Sequence, residues 1–253
     1  MTIWTYLRPM SVNYYLLKCK NLIFAVNPDV KLNCSDISFI FSNIKESNLQ
    51  GRKKMYQFEY LFKRYIFKKY WHGGVLRNLL RDNYYGTSPR SFLELLVLLK
   101  LKQKGINVPV PLFAARNEGI FYQQFLATEF IDGKDLTDLE MDNELIGLLF
   151  KSIEHLFETG LYHPDLNIKN VLLKGKEFFF IDFDRAYFYK TSLPFEKRYE
   201  IYRRLFRSFH KCDKLHMFKE FDFTGLPRYI HKAYFDYLKI SSFRSFFWIF
   251  NGK

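Results

Sequence analysis

Hydrophobic positions follow strand-like spacing in some segments of the chain and helical spacing in others. From Met55 to Tyr70, Tyr, Phe and Ile stand between charged residues, which predicts two strands of a hairpin with one solvated face. Residues 119–131 predict further strands that lead to a turn at Asp132 and Gly133. About the first forty residues show no clear period and predict no element.

Two segments carry the spacing of amphipathic helices. The first begins near Pro89, where Ser91 and Glu94 fit a capping box, and it ends at Gly105. The second covers residues 142–159, with leucine and isoleucine on one face. Both segments have the length of ordinary globular helices.

Prolines and short apolar runs define the remaining elements. Pro109 and Pro111 lie in the segment 108–113. Because proline cannot donate a backbone hydrogen bond, we expect an extended segment at a sheet edge there. Beyond the second helix, the pattern predicts a loop, a short strand over residues 178–181 and mostly helical, basic sequence to the end.

The order of these elements predicts an α+β fold with two lobes in a single domain of residues 1–253. A small strand-rich lobe of about residues 1–130 precedes a larger helical lobe of about residues 131–253. We expect a cleft near residues 128–135. The length suffices for one large domain or for two lobes that share a cleft.

The balance of charges restricts the partners of the protein. The chain has 39 Lys and Arg against 26 Asp and Glu, which gives a net charge of +13. This surplus favours an acidic partner: a nucleic acid, an anionic membrane surface or a phosphorylated substrate. Aromatic residues make up 20% of the chain, which is explained either by an AT-rich coding bias or by a surface suited to lipid headgroups.

The cysteines and the apolar runs bear on the compartment. Cys19, Cys34 and Cys212 show neither paired nor metal-ligand spacing, so we expect free thiols in a reducing compartment. No stretch approaches the roughly 18 apolar residues of a transmembrane helix, and the N-terminus lacks the apolar run of a signal peptide. We therefore expect the protein on the cytoplasmic side of any membrane that it contacts.

The segments HPDLNIKN (163–170) and FFFIDFD (178–184) carry the most informative chemistry. Phosphoryl transfer from ATP requires a carboxylate that accepts the hydroxyl proton, oxygens that hold Mg²⁺ and a lysine that reaches the phosphates. Asp165, in a loop after a helix, is the candidate catalytic base. Asn170, in the same loop, and Asp182, at the end of an apolar strand, are the candidate metal ligands. The alternative is a polar turn with an unrelated Asp downstream.

These segments resemble the catalytic loop and the metal-binding aspartate of the protein-kinase-like superfamily. His163, Asp165 and Asn170 match H-x-D-x-x-x-x-N, and Asp182 matches the aspartate of D-F-G. Asp184 stands where a protein kinase has glycine. No A-P-E motif follows, and the region after Asp184 is short for a lobe that binds protein substrates.

The resemblance places the phosphate-binding lysine and its partner upstream. Lys68 ends the strand-like YIFK (65–68), and Glu94 lies in the predicted helix where the pairing glutamate belongs. Lys63 and Lys69 are alternative lysines. Glu94 has the alternative role of a capping residue.

A loop that covers the phosphates is expected before residue 55. Gly51 is the only glycine there, in NLQGRKK (48–54), which departs from the G-x-G-x-x-G of protein kinases. Either backbone amides around Gly51 hold the phosphates together with the side chains of Arg52 and Lys53, or the segment is a basic turn.

Longer segments resemble the 3-deoxy-D-manno-octulosonic acid (Kdo) kinases of the lipopolysaccharide kinase group. They are KKYWHGG (68–74), RDNYYG (81–86), RSFLELLVLLKLKQKGINVPVPLFAAR (90–116), GLYHPDLNIKNVLL (160–173), IDFDRA (181–186) and RLFRSFHK (204–211). The resemblance runs from about residue 51 to about residue 211. This family often has a second glycine or a small residue at the position where the chain has Lys53, so the chain departs from the family pattern there.

The resemblance implies a protein-kinase-like bilobal fold and a reaction. The reaction is the phosphorylation of the Kdo sugar of Kdo-lipid A, at the 4-hydroxyl, with ATP and Mg²⁺ as cofactors. It also implies a peripheral membrane protein on the cytoplasmic side of the inner membrane, with no nucleic acid as a partner. The net charge suits that anionic surface, because each basic residue adds on the order of 1 kcal/mol of attraction.

Three other functions fit parts of the pattern. Another small-molecule kinase of the same fold, of the aminoglycoside or choline type, usually recruits acidic residues for cationic substrates, which the basic balance disfavours. A nucleic-acid-binding protein would explain the charge, but no recognition motif supports it. A catalytically inactive kinase-like scaffold is disfavoured by the intact set of Asp165, Asn170 and Asp182.

The C-terminal third of the chain is basic and aromatic. Six basic residues recur there at helix-like spacings: Arg203, Arg204, Arg207, Lys211, Lys214 and Lys219. They form either a solvated helical face that serves solubility or a docking face for anionic lipid.

Overall fold

The protein divides into two compact units that differ in secondary structure. The computed structural model describes residues 12–47, 55–70, 84–85, 89–119 and 121–251. The first unit comprises Met1–Asp132 with Phe183–Arg185, and the second comprises Gly133–Asp182 with Ala186–Lys253. Most of the described strands lie in the first unit, and the longest helices lie in the second. The architecture is therefore mixed α and β, as the sequence predicts.

An antiparallel sheet of seven strands forms the centre of the first unit. Its strands are β1 (Tyr15–Cys19), β2 (Leu22–Val26), β3 (Lys45–Glu46), β4 (Tyr56–Tyr60), β5 (Lys63–Lys69), β7 (Pro111–Asn117) and β9 (Gln124–Glu129). They stand in the order β1-β2-β7-β9-β5-β4-β3. Two further strands, β6 (Tyr84–Tyr85) and β8 (Phe121–Tyr122), pair in a small separate sheet.

The hairpin of β4 and β5 confirms the prediction from the alternating pattern of this segment. Phe58 and Tyr65 are partners across the hairpin, and their rings stack with centroids 5.3 Å apart. Both rings lie in the core together with Phe67, whereas Glu59 and Lys63 are exposed. One buried face therefore fixes the register of the pair.

Strand β7 lies inside the sheet, so the prediction of an edge segment around Pro109 and Pro111 is wrong. β2 pairs with β7 on one side, and β9 pairs with it on the other. Pro111 is the first residue of the strand, and the register shifts between Pro111 and Phe113. The missing N–H of proline is tolerated at the first residue of a strand or at a bulge, even within a sheet.

The N-terminal segment, for which the sequence predicts no element, forms β1, β2, β3 and helix α1 (Cys34–Ser42). Asn33 and Asp36 form a capping box at the start of this helix, each accepting from the backbone N–H of the other. Ile37 and Ile40 pack from α1 into the core of the sheet. The segment therefore completes the hydrophobic core of the first unit.

Cys19 and Cys34 form a disulfide, so the expectation of free thiols is wrong for these two residues. Their Cα atoms lie 5.5 Å apart, within the range of disulfides. β1 ends at Cys19 and α1 begins at Cys34, and the β1–β2 hairpin between them returns the chain to the same place. Cys212 is a free thiol, as expected.

Helix α2 (Arg90–Gln103) occupies the predicted segment, but the predicted capping box is wrong. Pro89 is the N-cap and has no side chain that accepts a hydrogen bond. Ser91 lies inside the first turn, where its N–H donates to Oε1 of Gln124 on β9 at 3.0 Å. A buried side chain from the sheet thus supplies the acceptor that a local cap supplies in other helices. Glu94 serves a different role, described below.

The second unit is mainly helical. Its helices are α3 (Asn143–Glu158), α4 (Phe195–Lys211) and α5 (Arg228–Asn251), and its short strands are β10 (Lys134–Asp135), β11 (Leu161–Tyr162), β12 (Val171–Lys174), β13 (Glu177–Phe180) and β14 (Tyr187–Phe188). β10, β12 and β13 form one small sheet, and β11 pairs with β14. The predicted helix over residues 142–159 is confirmed as α3, with Asp142 as its N-cap.

A partly buried hydrogen-bond network between α3 and α4 fixes the end of α3 that leads to the predicted catalytic loop. Glu154 of α3 accepts from Arg198 at 2.9 Å and from the Tyr202 hydroxyl at 2.8 Å. Burial raises the pKa of Tyr202 well above its usual value, so its hydroxyl stays a neutral donor. The ring of Phe150, also on α3, meets those of Tyr202 and Phe206 edge-on. The helix before the loop is therefore held by packing and by hydrogen bonds.

Candidate active site

Lys68 and Glu94 form the ion pair that the sequence predicts, within the first unit. The Nζ atom of Lys68, near the end of β5, donates to Oε2 of Glu94 at 2.9 Å and to Oε1 at 3.2 Å. The side chain of Glu94, on α2, is 3% exposed, and that of Lys68 is 32% exposed. A buried carboxylate thus holds an ammonium group that reaches the surface. Lys63, an alternative lysine, pairs instead with Glu129 at 3.2 Å.

The carboxylate of Glu94 accepts hydrogen bonds from two further groups. The hydroxyl of Tyr70 donates to Oε2, and the backbone N–H of Phe183 donates to Oε1 at 3.1 Å. Charge-assisted hydrogen bonds of this kind stabilise a buried carboxylate whose desolvation is otherwise unfavourable. Glu94 therefore connects Lys68 to the residue that directly follows Asp182.

Tyr70 is a residue of the site that the sequence patterns do not single out. It is 3% exposed, and the ammonium of Lys68 lies 4.8 Å from the centre of its ring. That distance is within the range of a cation–π contact. The available signal is its spacing, because side chains two residues apart on an extended segment share a face. In KKYWHGG (68–74), that rule places Tyr70 beside Lys68.

Asp165 and Asn170 lie in one loop of the second unit, between β11 and β12. Nδ2 of Asn170 donates to the backbone carbonyl of Asp165 at 2.8 Å. Nδ2 of Asn167 donates to the same carbonyl at 2.8 Å and to Oδ1 of Asp165 at 3.2 Å. The side chain of Asp165 is exposed although its backbone is held in place. A carboxylate presented on a fixed loop suits the acceptance of a proton from a substrate hydroxyl.

His163 connects this loop to the segment that leads to Asp182. The ring is fully buried, and its Nε2 donates to the carbonyl of Ile181 at 3.2 Å. The N–H of Ile181 donates to the carbonyl of Asn170 at 3.0 Å. Ile181 is therefore held through both of its backbone polar groups, and Asp182 is the next residue.

Asp182 has a left-handed backbone conformation. Its φ is 64°, in the left-handed region that non-glycine residues seldom occupy. Strain of this kind concentrates at functional sites, where the surrounding structure holds it in place. The strained residue is the one that the sequence predicts as a metal ligand.

The candidate donor atoms of Asn170 and Asp182 suit Mg²⁺. Because Nδ2 of Asn170 faces the Asp165 carbonyl, its Oδ1 points away from that carbonyl. This amide oxygen and the carboxylate of Asp182 are hard donors of the type that Mg²⁺ prefers. Within the described ranges, no group of three or more His, Cys, Asp and Glu residues is placed to hold a metal ion. The donor set fits an ion that keeps water and phosphate ligands rather than one enclosed by protein groups.

Asp184, which replaces the glycine of D-F-G, is bound to helix α2. Its Oδ2 lies 3.5 Å from Nη1 of Arg90, the first residue of that helix. The guanidinium of Arg90 also lies 5.6 Å from the ring centre of Tyr84, whose pKa is raised by burial. Asp184 thus adds a second contact between α2 and the segment after Asp182. The first contact is the hydrogen bond from the N–H of Phe183 to Glu94.

The segment predicted to cover the phosphates precedes β4 in the chain. Gly51, Arg52 and Lys53 lie outside the described residues. Their contact with phosphates stays a prediction.

Comparison with known proteins gives the family. Residues 43–224 match the model of the lipopolysaccharide kinase (Kdo/WaaP) family. The chain belongs to this family. A 3-deoxy-D-manno-octulosonic acid kinase of Vibrio vulnificus (strain CMCP6) is 34% identical over 163 residues, which cover 58% of this chain and 69% of that relative. An enzyme of the same name from Pasteurella multocida (strain Pm70) is 34% identical over 161 residues, which cover 57% and 65%.

A solved structure supports the fold of this Kdo/WaaP-family protein. Amicoumacin kinase hAmiN, in complex with AMP-PNP, Ca²⁺ and Ami, matches with a TM-score of 0.51 and 13% identity, covering 78% of this chain and 71% of that one. At this identity the likeness concerns the fold alone, and it confirms the predicted protein-kinase-like α+β fold. Membership in the Kdo/WaaP family also confirms the predicted class of enzyme, a phosphotransferase. The roles of the individual site residues stay predictions.

Proposed function

We propose that this Kdo/WaaP-family kinase transfers the γ-phosphate of ATP to the 4-hydroxyl of the Kdo sugar in Kdo-lipid A. The relatives named 3-deoxy-D-manno-octulosonic acid kinase support the sugar acceptor. The structural observation that carries the proposal is the Lys68–Glu94 pair. In this fold, binding of the ATP phosphates requires a lysine that is held in place by a glutamate.

Asp165 is the proposed base of the reaction. Its carboxylate is exposed on a loop that Asn167 and Asn170 hold by hydrogen bonds, so it offers an acceptor in a fixed position. It receives the proton of the sugar hydroxyl as the oxygen bonds to the γ-phosphorus, and the bond from that phosphorus to the β-phosphate oxygen breaks. The transition state is loose, so the base mainly orients the hydroxyl.

The remaining site residues hold the nucleotide in this proposal. Lys68 binds the phosphates, and Oδ1 of Asn170 and the carboxylate of Asp182 hold Mg²⁺. When bound, Mg²⁺ neutralises the charge that develops on the phosphate oxygens. We expect Gly51 and Arg52, which lie outside the described residues, to contribute to binding the phosphates.

We also propose that the protein is peripheral to the inner membrane, on its cytoplasmic side, where it meets the anionic glycolipid. The net charge of +13 supports attraction to such a surface. Across the described part of the chain, no helix combines the length and the apolar character needed to cross a bilayer.

The basic residues of the C-terminal third do not all belong to one free face. Lys214 forms an ion pair with Glu140, and Arg204 donates to the hydroxyl of Tyr162 at 3.1 Å. Arg207, Lys211 and Lys219 are exposed. These three are the residues that we propose to contact anionic lipid, in a manner that salt weakens. Vesicle binding that is indifferent to salt and to lipid charge would leave them only a role in solubility.

The reaction is tested by incubating the protein with ATP, Mg²⁺ and Kdo-lipid A and measuring the product by mass spectrometry. We expect the mass of one added phosphate on the Kdo sugar, and no product from an acceptor that lacks the 4-hydroxyl. Transfer to an aminoglycoside or to choline, without transfer to Kdo-lipid A, would replace this function with another of the same fold. The Asp165→Asn variant is the control for contaminating kinases.

A further inference from the structure

The turn between β4 and β5 presents two large apolar side chains to solvent. Leu61 is 66% exposed, and Phe62 is fully exposed at 107%. These two residues form the whole loop, because the adjacent Tyr60 and Lys63 are partners in the hairpin. The apolar surface of this tip, defined as Leu61 and Phe62, is therefore left in water by the fold.

The backbone of the tip is strained as well. φ is 48° at Leu61 and 60° at Phe62, so both residues are left-handed. This conformation in a two-residue hairpin loop is that of a type I′ turn, which strongly favours Asn-Gly. Large side chains with a Cβ atom are unfavourable there. The sequence thus places Leu and Phe where they weaken the turn and add nothing to the core, which indicates a function outside the folded chain.

We propose that the tip inserts into the interfacial layer of the membrane that holds the substrate. The proposal rests on the proposed function, since a glycolipid acceptor brings the enzyme to a membrane surface. Each apolar side chain that leaves water contributes favourably to the free energy of membrane binding. Aromatic rings are suited to the boundary between the lipid headgroups and the acyl chains. A protein partner fits less well, because a specific interface takes about 800 Å² from each side and the tip consists of two residues.

The basic residues next to the tip, Lys63 and Arg64, make contacts within the protein. Lys63 is paired with Glu129 at 3.2 Å. Arg64 lies over the ring of Phe130 at 3.7 Å and stands opposite Glu59 in the hairpin. The tip therefore contributes apolar contact, whereas the net charge of the chain contributes long-range attraction. Salt screens the long-range attraction and leaves the apolar contact unchanged.

The Leu61→Asn/Phe62→Gly variant separates stability from membrane binding. Asn-Gly suits the turn, so we expect Tm to rise by about 2–4 °C. Affinity for vesicles of phosphatidylethanolamine and phosphatidylglycerol is expected to fall by about tenfold or more. Co-sedimentation at high salt measures it, because electrostatic attraction is then screened. A variant that lost binding through unfolding would show a lower Tm instead.

Two further variants test the position of the contact. Phe39 on α1 is 55% exposed in an ordinary helix, so Phe39→Gln removes a comparable surface ring and is expected to leave vesicle binding unchanged. Phe62→Trp keeps an aromatic tip. It is expected to bind as the wild type does and to shift its added fluorescence to the blue when vesicles are present.

Vesicle binding of Leu61→Asn/Phe62→Gly at the wild-type level would overturn the proposal. An equal loss in Phe39→Gln would also overturn it, by showing that general surface hydrophobicity drives binding. A wild-type dimer that the tip variant converts to monomers, with vesicle binding intact, would assign the tip to a second copy. Absence of transfer to Kdo-lipid A by the wild-type protein would refute the proposed function, and the vesicle measurement would still decide the role of the tip.

Discussion

Replacing Tyr70 with Phe tests whether its hydroxyl holds Glu94 in the arrangement that serves the reaction. The change keeps the ring beside Lys68 and removes one donor to a carboxylate that is 3% exposed, so water cannot readily take its place. A hydrogen bond to a charged group contributes about 1.5–3 kcal/mol, and about 1.4 kcal/mol corresponds to a tenfold change in rate. On the premise that this energy holds Glu94 and Lys68 in the arrangement proposed to bind ATP, we expect kcat/KM for ATP to fall by up to about 10- to 100-fold.

Steady-state kinetics with ATP varied, on preparations of known Tm, measure this effect. Tyr65→Phe is the matched control, because Tyr65 is buried on β5, the strand that ends one residue before Tyr70, and its ring stacks on Phe58. Its turnover should equal that of the wild type. If Tyr70 acts through Glu94, adding Tyr70→Phe to Glu94→Gln should cost little more. Activity of Tyr70→Phe within about twofold of the wild type, or losses that simply add, would refute the reasoning.

Three further predictions concern the metal, the base and the disulfide. Asp182→Asn and Asn170→Ala should each nearly abolish turnover in a folded protein, because the first replaces a charged carboxylate of the Mg²⁺ site by a neutral amide and the second removes an amide oxygen from it; a folded Asp182→Asn variant with wild-type kinetics would contradict this. Asp165→Ala should keep its Tm and its ATP affinity in calorimetry but lose roughly 100-fold or more in turnover, whereas lost stability with retained activity would mark a turn residue. Cys19→Ser/Cys34→Ser opens a link across 15 residues and should lower the free energy of unfolding by about 3 kcal/mol. Denaturant curves that coincide with those of the wild type would speak against that bond.

Elements that nearby residues determine could be predicted from the sequence. Helix α3 begins after Asp142, whose side chain accepts from the N–H of Leu145 at 2.8 Å, and it ends before Gly160, whose φ is 82°. Both signals lie within a few residues of the helix ends. The contact between Asp165 and Asn170 was predictable for a related reason, since one short loop carries both residues.

Features that depend on distant contacts could not be predicted in this way. Pro111 taken alone indicates an edge strand. In the structure, β2 of the N-terminal hairpin pairs with β7, so β7 is not at the edge. The acceptor for the N–H of Ser91 is Gln124, 33 residues further along the chain. The same holds for the hydroxyl of Tyr70, whose partner lies on a helix 24 residues away. In each case the missing information is which elements the fold places side by side.

The disulfide bears on the expected compartment. Disulfides persist in oxidising surroundings and are rare where thiols are kept reduced. The link between Cys19 and Cys34 therefore argues against the reducing compartment predicted from the cysteine spacing, and with it against the proposed cytoplasmic side of the membrane. Thiol trapping in intact cells measures the state of the pair directly, with Cys212 as the internal standard of a free thiol.

The N-terminal hairpin and helix α1 belong to the first folding unit but precede the segment that matches the family model. The family match begins at residue 43, yet β2 pairs along β7, and the rings of Phe24 and Phe113 meet with centroids 5.3 Å apart. A fragment cut at residue 43 would turn β7 into an open edge, available to the strands of other molecules. An expression fragment should therefore start ahead of β1.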